Sequence, residues 1–416
     1  MEGANAVRSA GLVAAVRARD VGAVRALLEG GADPGAVDGR GTPVLLLAVE
    51  ALDESVVDLL TQYGQPDRDV RERALLRAVD LGVYGIFLAV SSGARLWVED
   101  ADGRNALALA RQWYEVGVEA GLRRRTGLAG PVRKRTVVGE FGPCRELSLG
   151  DVSVQDGHAA ILTDLEERYG VLPAFGELMA RALAEPDVEH PVWFAVIMAL
   201  QRRRDPAVWD AGVALRERHE PPARYFGAEL LRAINLFDED EDLPYDSPLT
   251  DVFLPWVARE TDPLVMVALT AGLADCTDPR AGDALPALAR HDDERVRERA
   301  VSGLGCWIEA GRPGAVDAAV ECSTDGTAVV RRAACRALGR ARLRLPDVRE
   351  ALARCLDDSD EGVRVESAVR LTLLDDPRGD DAVERLGPVG EDSPYYWTLY
   401  EASHHQWRRR CAVRSP

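Results

Sequence analysis

A repeat of nearly constant length constrains the fold more than any other feature of this sequence. Arg297, Arg331 and Arg364 each follow an acid-rich turn and a valine, precede small residues, and lie at steps of 34 and 33 positions. A fixed period of this length is typical of stacked helical units, each of which buries its apolar face on its neighbours. The sequence therefore predicts a solenoid rather than one closed globule.

Helical pairs extend backward from this repeat. Comparable positions fall near Met266, Tyr225 and Trp193, at steps of 31, 41 and 32 positions. The long step contains the acidic run 238–242, which a solenoid tolerates as a loop on one rim. Because each of these helices is followed by a second one, we predict about seven helical pairs over 156–392.

The units around the three arginines resemble the HEAT repeat, in the short form first named from phycobilisome lyases. The resemblance rests on turn acids, Val-Arg pairs, small helix residues and Leu-Gly exits, namely Asp292, Asp293, Asp325, Asp358, Asp360, Ala300, Ala333, Ala334, Ala368, Leu304-Gly305 and Leu338-Gly339. It is closest over 262–387 and looser over 156–255. It implies a convex Val-Arg helix, a concave second helix and, in most relatives, protein recognition; a minority act on chromophores or DNA bases.

A different repeat occupies the segment 1–128. The stretches DGRGTPVLLLAVE from Asp38 and DGRNALALARQW from Asp102 each place an Asp-Gly turn before a helix, and we align these two aspartates. Thr42-Pro43 puts proline where a helix needs no amide donor. This block resembles the ankyrin repeat over roughly four units, although Val44-Leu45 stands where that family has Leu-His.

We therefore predict an all-α protein, an α-solenoid of paired antiparallel helices with an ankyrin-like block at 1–128 and a HEAT-like block at 156–392. Between them, 129–155 contains TVVGEF and RELSLGDVSV, which are typical of extended segments around a Gly142-Pro143 turn and predict a short β-hairpin. The aromatic and basic segment 393–416 is expected to cap the solenoid.

The charge of the chain argues against two classes of partner. Asp and Glu outnumber Lys and Arg by 69 to 51, which gives a formal net charge of −18. Within 1–128 the basic side chains number 15 and the acidic ones 18, which leaves 36 and 51, a net of −15, for the rest. Nucleic acids and anionic membranes both attract basic surfaces, so we expect neither. No run of 18 apolar residues is present to span a bilayer.

The cysteine pattern favours a reducing compartment. Seven cysteines are scattered without CxxC spacing, mostly at small-residue positions of helical segments, where a reduced thiol packs as an apolar group. The amino-terminal stretch turns charged too early for a signal peptide. We therefore expect a cytoplasmic protein. Because His404, His405 and Cys411 lack zinc-site spacing, we assign no metal, and nothing predicts a cofactor.

The recurring Asp and Arg residues have two interpretations. They could form a charged binding site. Alternatively, each turn acid could accept hydrogen bonds from amides at a helix start and from an arginine of the adjacent unit. Their recurrence in every unit favours this inter-repeat ladder.

Two further charged segments leave alternatives open. The six basic residues near the junction are either a solvated linker or a patch for an anion or an acidic partner, and they are Arg123, Arg124, Arg125, Arg133, Lys134 and Arg135. The acidic run 238–242 could hold a divalent cation or bind a basic partner. Because it lacks the Gly-punctuated spacing of an EF-hand, a solvated loop is the simpler interpretation.

The stretch 395–410 has the most unusual composition. Tyr396, Trp397, Tyr400, His404 and Trp407 follow three- and four-residue spacings, which place them on one helical face. This face either closes the last repeat or binds a partner, because Tyr, Trp and Arg dominate interface hot spots.

The sequence carries no GxSxG, Walker, GxGxxG or HExxH motif. We therefore expect a non-enzymatic scaffold or adaptor that binds one or more proteins through concave second helices. The candidate contact residues are aromatic or charged, on or beside second helices or in the C-terminal segment: Trp209, Trp256, Arg290, Glu321, Arg349, Arg354, Tyr396, Trp397, Tyr400 and Trp407. The alternative is a HEAT-like enzyme or ligand binder, lyase-like or nucleobase-acting, with a concave pocket.

Overall fold

The computed structural model describes residues 2–240, 242–341, 345–390 and 393–414. It divides into two compact units, 1–203 and 204–416. Stacked helical pairs dominate both units, so the predicted α-solenoid is confirmed. The junction forms a three-stranded antiparallel sheet, one strand more than the predicted hairpin.

The N-terminal unit contains eleven helices and three strands within its described residues. Their bounds are α1 Glu2–Ala18, α2 Val21–Glu29, α3 Val44–Glu50, α4 Glu54–Tyr63, α5 Arg68–Leu81, α6 Tyr84–Ser91, α7 Ala106–Val116, α8 Val118–Thr126, β1 Arg133–Gly139, β2 Gly142–Leu149, β3 Val152–Gln155, α9 His158–Arg168, α10 Phe175–Leu183 and α11 Pro191–Gln201. Strands β2 and β3 pack against α8, and α9 packs against α7 and α11.

Two equivalent turns show the internal repeat of this unit. The carboxylate of Asp38 accepts the amides of Arg40 and Thr42, both at 2.8 Å. The carboxylate of Asp100 accepts the amides of Asp102 and Arg104 in the same way, both at 2.9 Å. Gly41 and Gly103 have φ of +79° and +75°, a conformation that favours glycine. Asp38 therefore corresponds to Asp100, so the predicted alignment with Asp102 is wrong by two positions.

The C-terminal unit contains twelve α-helices within its described residues, and a 3₁₀ turn at Leu215–Glu217. The helices are α12 Pro206–Ala214, α13 Pro221–Leu236, α14 Asp246–Val257, α15 Pro263–Asp275, α16 Pro279–Leu288, α17 Glu294–Glu309, α18 Pro313–Cys322, α19 Ala328–Leu338, α20 Pro346–Cys355, α21 Glu361–Leu373, α22 Pro377–Leu386 and α23 Tyr396–Arg414. The first helices of the pairs, from α13 to α21, contact one another in sequence, and α23 contacts α21. Aspartate caps and N1 prolines start many of these helices, as at Asp278-Pro279 and Asp376-Pro377.

Arginine side chains connect consecutive turns of this unit. Both Nε and Nη2 of Arg331 donate to the carboxylate of Asp358 at 2.7 Å, while Nη1 donates to the Asp325 carbonyl at 2.8 Å. Arg297 contacts Asp325 in the same way, at 2.7 and 3.0 Å. The predicted inter-repeat ladder is therefore confirmed.

The ladder reaches back to α13. Arg224 donates to both oxygens of Glu260, at 2.9 and 2.8 Å, and its Nη1 donates to the carbonyls of Arg218 and His219. The helical register places Arg224 at the position that corresponds to Arg297, one residue before the predicted Tyr225.

We expect Arg331→Ala to lower the free energy of unfolding by about 2–3 kcal/mol, because it leaves the Asp358 carboxylate without its charged partner. The two side chains are only 14% and 11% exposed. Arg290→Ala is the matched control, since Arg290 and Glu321 are 51% and 56% exposed and such a pair contributes less than about 1 kcal/mol. Urea unfolding followed by circular dichroism measures both. Equal losses would contradict the structural role of the ladder.

Glu260 gives the ladder a pH dependence. Burial opposes its ionisation, but hydrogen bonds from Arg224, from the amides of Asp262 and Thr261, and from Trp256 lower its pKa from 4.5 to about 2. A carboxyl group with a lowered folded-state pKa stabilises the fold above its ordinary pKa and loses that contribution as pH falls through the folded-state pKa.

We therefore expect Glu260→Gln to destabilise the protein near neutral pH, and the difference from the wild type to shrink between pH 4.5 and about pH 2. Urea midpoints measured across that range test this. Glu239→Gln is the control, because the Glu239 side chain is 84% exposed. A difference that stays constant with pH would refute this role of Glu260.

Candidate interaction surface

Helix α23 closes the C-terminal unit through a narrow apolar face. Leu399 and Ala402 are 6% and 0% exposed and pack in one cluster with Val365 and Val369 of α21. This packing on α21 is the contact that a capping helix would make, and the capping role itself stays a prediction.

Polar contacts to the preceding helical pair fix the rotation of α23. Both oxygens of Asp380 accept from Nη2 of Arg409, at 2.7 and 2.6 Å, and Oδ1 also accepts from Nε2 of Gln406 at 3.0 Å. His405 Nε2 lies 3.0 Å from Oδ1 of Asp375. Because α23 is held on this side, its opposite face is left for other contacts.

The aromatic residues of α23 lie outside the buried face. Trp397, Tyr400 and Trp407 are 76%, 53% and 58% exposed. Their rings follow one another along the helix: the Tyr400 centroid is 5.9 Å from Trp397 and 6.2 Å from His404, and His404 is 5.9 Å from Trp407. Together with Tyr396, these residues form what we call the aromatic stripe. The hypothesis that this face closes the last repeat is wrong, because Leu399 and Ala402 do so.

The carboxyl end of the stripe is basic. Arg408 and Arg410 are exposed there. Within the described part of the chain neither has a carboxylate partner, and Arg410 Nε contacts only the carbonyl of Gln406, at 3.4 Å. The stripe thus combines open ring surfaces with two free positive charges.

Two predicted contact residues on the second helices are tryptophans. Trp256 is only 1% exposed, and its Nε1 donates to Glu260 at 3.1 Å. Its prediction as a contact residue is wrong, because the ring belongs to the core. Trp209 is half-buried and packs on the ring of Tyr245, with 4.9 Å between centroids.

The charged candidates on the second helices are mostly paired. Arg290 Nε donates to Glu321 at 2.8 Å, which joins consecutive second helices. Arg349 donates to the carbonyl of Leu374 at 2.7 Å. Arg354 is exposed and has no ion pair among the described residues. These residues remain predictions as partner contacts.

The six basic residues near the junction do not form one free patch. Arg123 and Lys134 both contact Glu119, at 3.0 and 2.7 Å. The carboxylates of Glu146 and Asp80 neutralise two more, Arg135 and Arg125. Arg124 on α8 and Arg133 on β1 are exposed, and the described residues supply no carboxylate to either.

The acidic run 238–242 has the local contacts of a loop. Its Glu241 lies outside the described residues. Asp238 and Asp240 each accept the amide two residues further on, and Glu239 pairs with Arg204 at 2.9 Å. These contacts agree with the solvated-loop interpretation.

One cluster with metal-ligand chemistry occurs in the described chain, formed by Cys144, Asp156 and His190. Nδ1 of His190 accepts the amide of Val192 at 3.2 Å, so the ring proton lies on Nε2, 3.2 Å from Asp156 Oδ1. Asp156 also accepts from the amide and Nε of Arg145. Burial raises the pKa of the Cys144 thiol. A metal needs a thiolate and a bare ring nitrogen, so this cluster is a hydrogen-bonded network.

We expect the full chain to bind less than one equivalent of Zn²⁺ in isothermal titration at neutral pH, because the network leaves no metal-binding lone pair on His190. Cys144→Ser should leave the titration unchanged. One equivalent of Zn²⁺ that is lost in Cys144→Ser would refute the proton assignment.

A cleft of about 570 Å³ in the N-terminal unit brings three carboxyl groups together, and no sequence pattern predicts it. Glu54, Asp58 and Glu140 line it, beside the rings of Tyr84 and Phe141. Burial, followed by the charge of Glu140, raises the pKa of Asp58, and burial also raises that of Glu54. Carboxyl groups of raised pKa can exchange protons.

Comparison with known proteins supports the repeat architecture. Residues 316–396 match a family model described as HEAT repeats. No curated protein matches the chain. The match lies within the C-terminal unit and agrees with its stacked helical pairs.

Several solved structures are similar at low sequence identity. Escherichia coli YibA is 16% identical with a TM-score of 0.45, and the alignment covers 58% of this chain and 84% of YibA. Kap95p, from a structure that describes its binding to RanGDP, is 13% identical with a TM-score of 0.41. That alignment covers 93% of this chain and 53% of Kap95p. A chain of the S. pombe condensin Cnd3–Cnd2 subcomplex is 14% identical with a TM-score of 0.41. That alignment covers 88% of this chain and 53% of the condensin chain. None of the described helices has the length and hydrophobicity that a bilayer crossing requires.

Proposed function

We propose that this chain is a non-enzymatic repeat scaffold that binds a partner protein through the aromatic stripe of α23. One observation carries the proposal: the helix is fully attached by Leu399, Ala402 and Arg409, yet Trp397, Tyr400 and Trp407 remain more than half exposed. Contiguous exposed aromatic surface of this kind marks interaction sites.

The stripe is large enough to contribute to binding but not to provide high affinity alone. Burying roughly 300 Å² of ring surface contributes about 7 kcal/mol at ~25 cal/mol per Å². Association costs ~4–15 kcal/mol in lost freedom of motion. These two contributions nearly cancel, so the rings alone fall short of the roughly 8 kcal/mol that a micromolar complex requires. We expect the electrostatic attraction of Arg408 and Arg410 and further contacts of the partner to supply the difference.

The partner that fits is an amphipathic helix with apolar and acidic side chains. From Tyr396 to Trp407 the stripe is about 17 Å long, which matches three turns of a helix. The exposed Arg408 and Arg410 at its carboxyl end favour acidic residues at one end of the partner. Arg354 on α20 is a further candidate contact for an acidic group.

The remaining assignments belong to the same proposal. The turns at Asp38 and Asp100 support an ankyrin-like origin for the first helical pairs. The burial of five of the seven cysteines fits a reducing cytoplasm. The lyase-like or nucleobase-acting alternative stays a prediction, and no reaction is assigned to the carboxyl groups of the cleft.

The test is a selection of 15-residue peptides on the immobilised full chain, followed by affinity measurements with the synthetic peptides. We expect the selected peptides to contain apolar residues at helical spacing and several Asp or Glu residues. Because each tryptophan is a candidate hot spot, Trp397→Ala/Trp407→Ala should weaken their binding at least about 30-fold.

Val329→Ala is the matched control, because Val329 is also an exposed apolar residue, on α19, outside the stripe. It should bind the selected peptides like the wild type, and circular dichroism should show that both variants are folded. Selection of basic peptides, or equal affinity for the double variant, would overturn the proposal. So would self-association in analytical ultracentrifugation that disappears in the double variant, because the occupant would then be a second copy.

A further inference from the structure

A second cavity in the N-terminal unit gathers arginines from two separate helices and a turn. It has a volume of about 560 Å³. Helix α5 contributes Arg73 and Arg77, the turn before α7 contributes Arg104, and α8 contributes Arg124 and Arg125. These residues are up to 52 positions apart in sequence, so the fold alone brings them together.

The cavity is positively charged in a strongly acidic chain. Its lining contains five arginines and two carboxylates, Asp80 and Asp100. Two further carboxylates, Glu50 and Asp102, contact Arg77 and Arg104, so five positive and four negative charges leave +1, whereas the whole chain has a net charge of −18. Like charges held together in one concavity repel one another, so a surplus of this kind is stabilised by an anion.

Three of the arginines are already engaged. Arg77 contacts Asp80 at 2.5 Å and Glu50 at 2.6 Å. Arg125 contacts the same Asp80 carboxylate at 2.7 Å, and Arg104 contacts Asp100 at 2.8 Å. These pairs hold the wall of the cavity in place.

Arg73 and Arg124 differ from these three. Both are exposed residues that line the cavity, and within the described ranges neither has a hydrogen bond or an ion pair. Their guanidinium groups are therefore free to bind a ligand. A guanidinium fork matches the oxygens of a phosphate or a carboxylate.

The apolar part of the cavity is rigid. Trp113 is 7% exposed, its Nε1 donates to Asp80 Oδ1 at 3.1 Å, and its ring stacks on buried His158 with centroids 4.8 Å apart. Burial lowers the pKa of His158 to about 4, so this ring is neutral at pH 7. Leu76 and Val116, both half-buried, add aliphatic surface beside the tryptophan.

We infer that this cavity binds a small phosphorylated molecule, with its phosphate between Arg73 and Arg124 and an apolar or ring-shaped part against Leu76, Trp113 and Val116. Phosphate fits better than carboxylate because it places two negative charges on one group, one for each of the two guanidinium groups that have no carboxylate partner. The site is independent of the aromatic stripe, which belongs to the other unit.

Isothermal titration of the full chain at low salt tests the inference with phenyl phosphate, inorganic phosphate and benzoate. Phenyl phosphate should bind at least about tenfold more tightly than inorganic phosphate, because its ring reaches the apolar wall. It should also bind at least about tenfold more tightly than benzoate, which has the same ring and one charge less. Added salt should weaken all three.

Arg73→Gln and Arg124→Gln should each weaken phenyl phosphate binding about tenfold and leave the thermal unfolding of the chain unchanged, because neither side chain is paired. Arg133→Gln is the matched control, since Arg133 is an exposed arginine on β1 outside the cavity. No binding of phenyl phosphate would overturn the inference. Equal losses in Arg133→Gln, or benzoate binding as tightly as phenyl phosphate, would also overturn it.

Discussion

The bidentate contact between an arginine and the turn carboxylate of the next repeat holds the C-terminal unit in register. In a solenoid each pair of helices contacts only its neighbours, so stability depends on the interfaces between adjacent repeats. Apolar ridges alone allow neighbouring helices several packing arrangements. Arg331 removes this freedom because its Nε, Nη1 and Nη2 donate to the Asp358 carboxylate and the Asp325 carbonyl at the same time.

Where the arginine is missing, close packing performs the same task. In α15 the equivalent position is Met266, a buried apolar residue. Further along the same helix, a Cβ on Gly272 would lie 2.3 Å from the ring of Phe253, so α14 and α15 approach more closely than any larger residue permits. Close packing of side chains therefore fixes the register of this repeat, whereas arginine–carboxylate contacts fix the register of its neighbours. Both devices act between turns or helices that are adjacent in space, which is why the insertion after α13 does not disturb them.

The sequence predicted the features that recur in every repeat. It did not predict which face of a helix is buried or which turn residues are equivalent. The period of the arginines identified the helical pairs and the ladder, because a structural role must repeat with the unit. The spacing of Tyr396, Trp397, Tyr400 and Trp407 identified one helical face, but not which way it points, since the buried face consists of the inconspicuous Leu399 and Ala402. The register of the N-terminal turns was shifted because the Asp-Gly pairs were aligned, whereas the backbone aligns Gly41 with Gly103, the residues of positive φ.

The charged residues show why a site is harder to predict than a fold. The six junction residues are neighbours in sequence, yet the carboxylates of Asp80, Glu119 and Glu146 neutralise four of them. Arg73 and Arg124 lie 51 positions apart but line one cavity. In a chain with 69 acidic residues, most arginines find a carboxylate. An unpaired arginine beside an apolar wall is therefore better evidence for a binding site than a run of basic residues. A basic run follows from local composition alone, whereas an arginine stays unpaired in this chain only where the fold places no carboxylate near it.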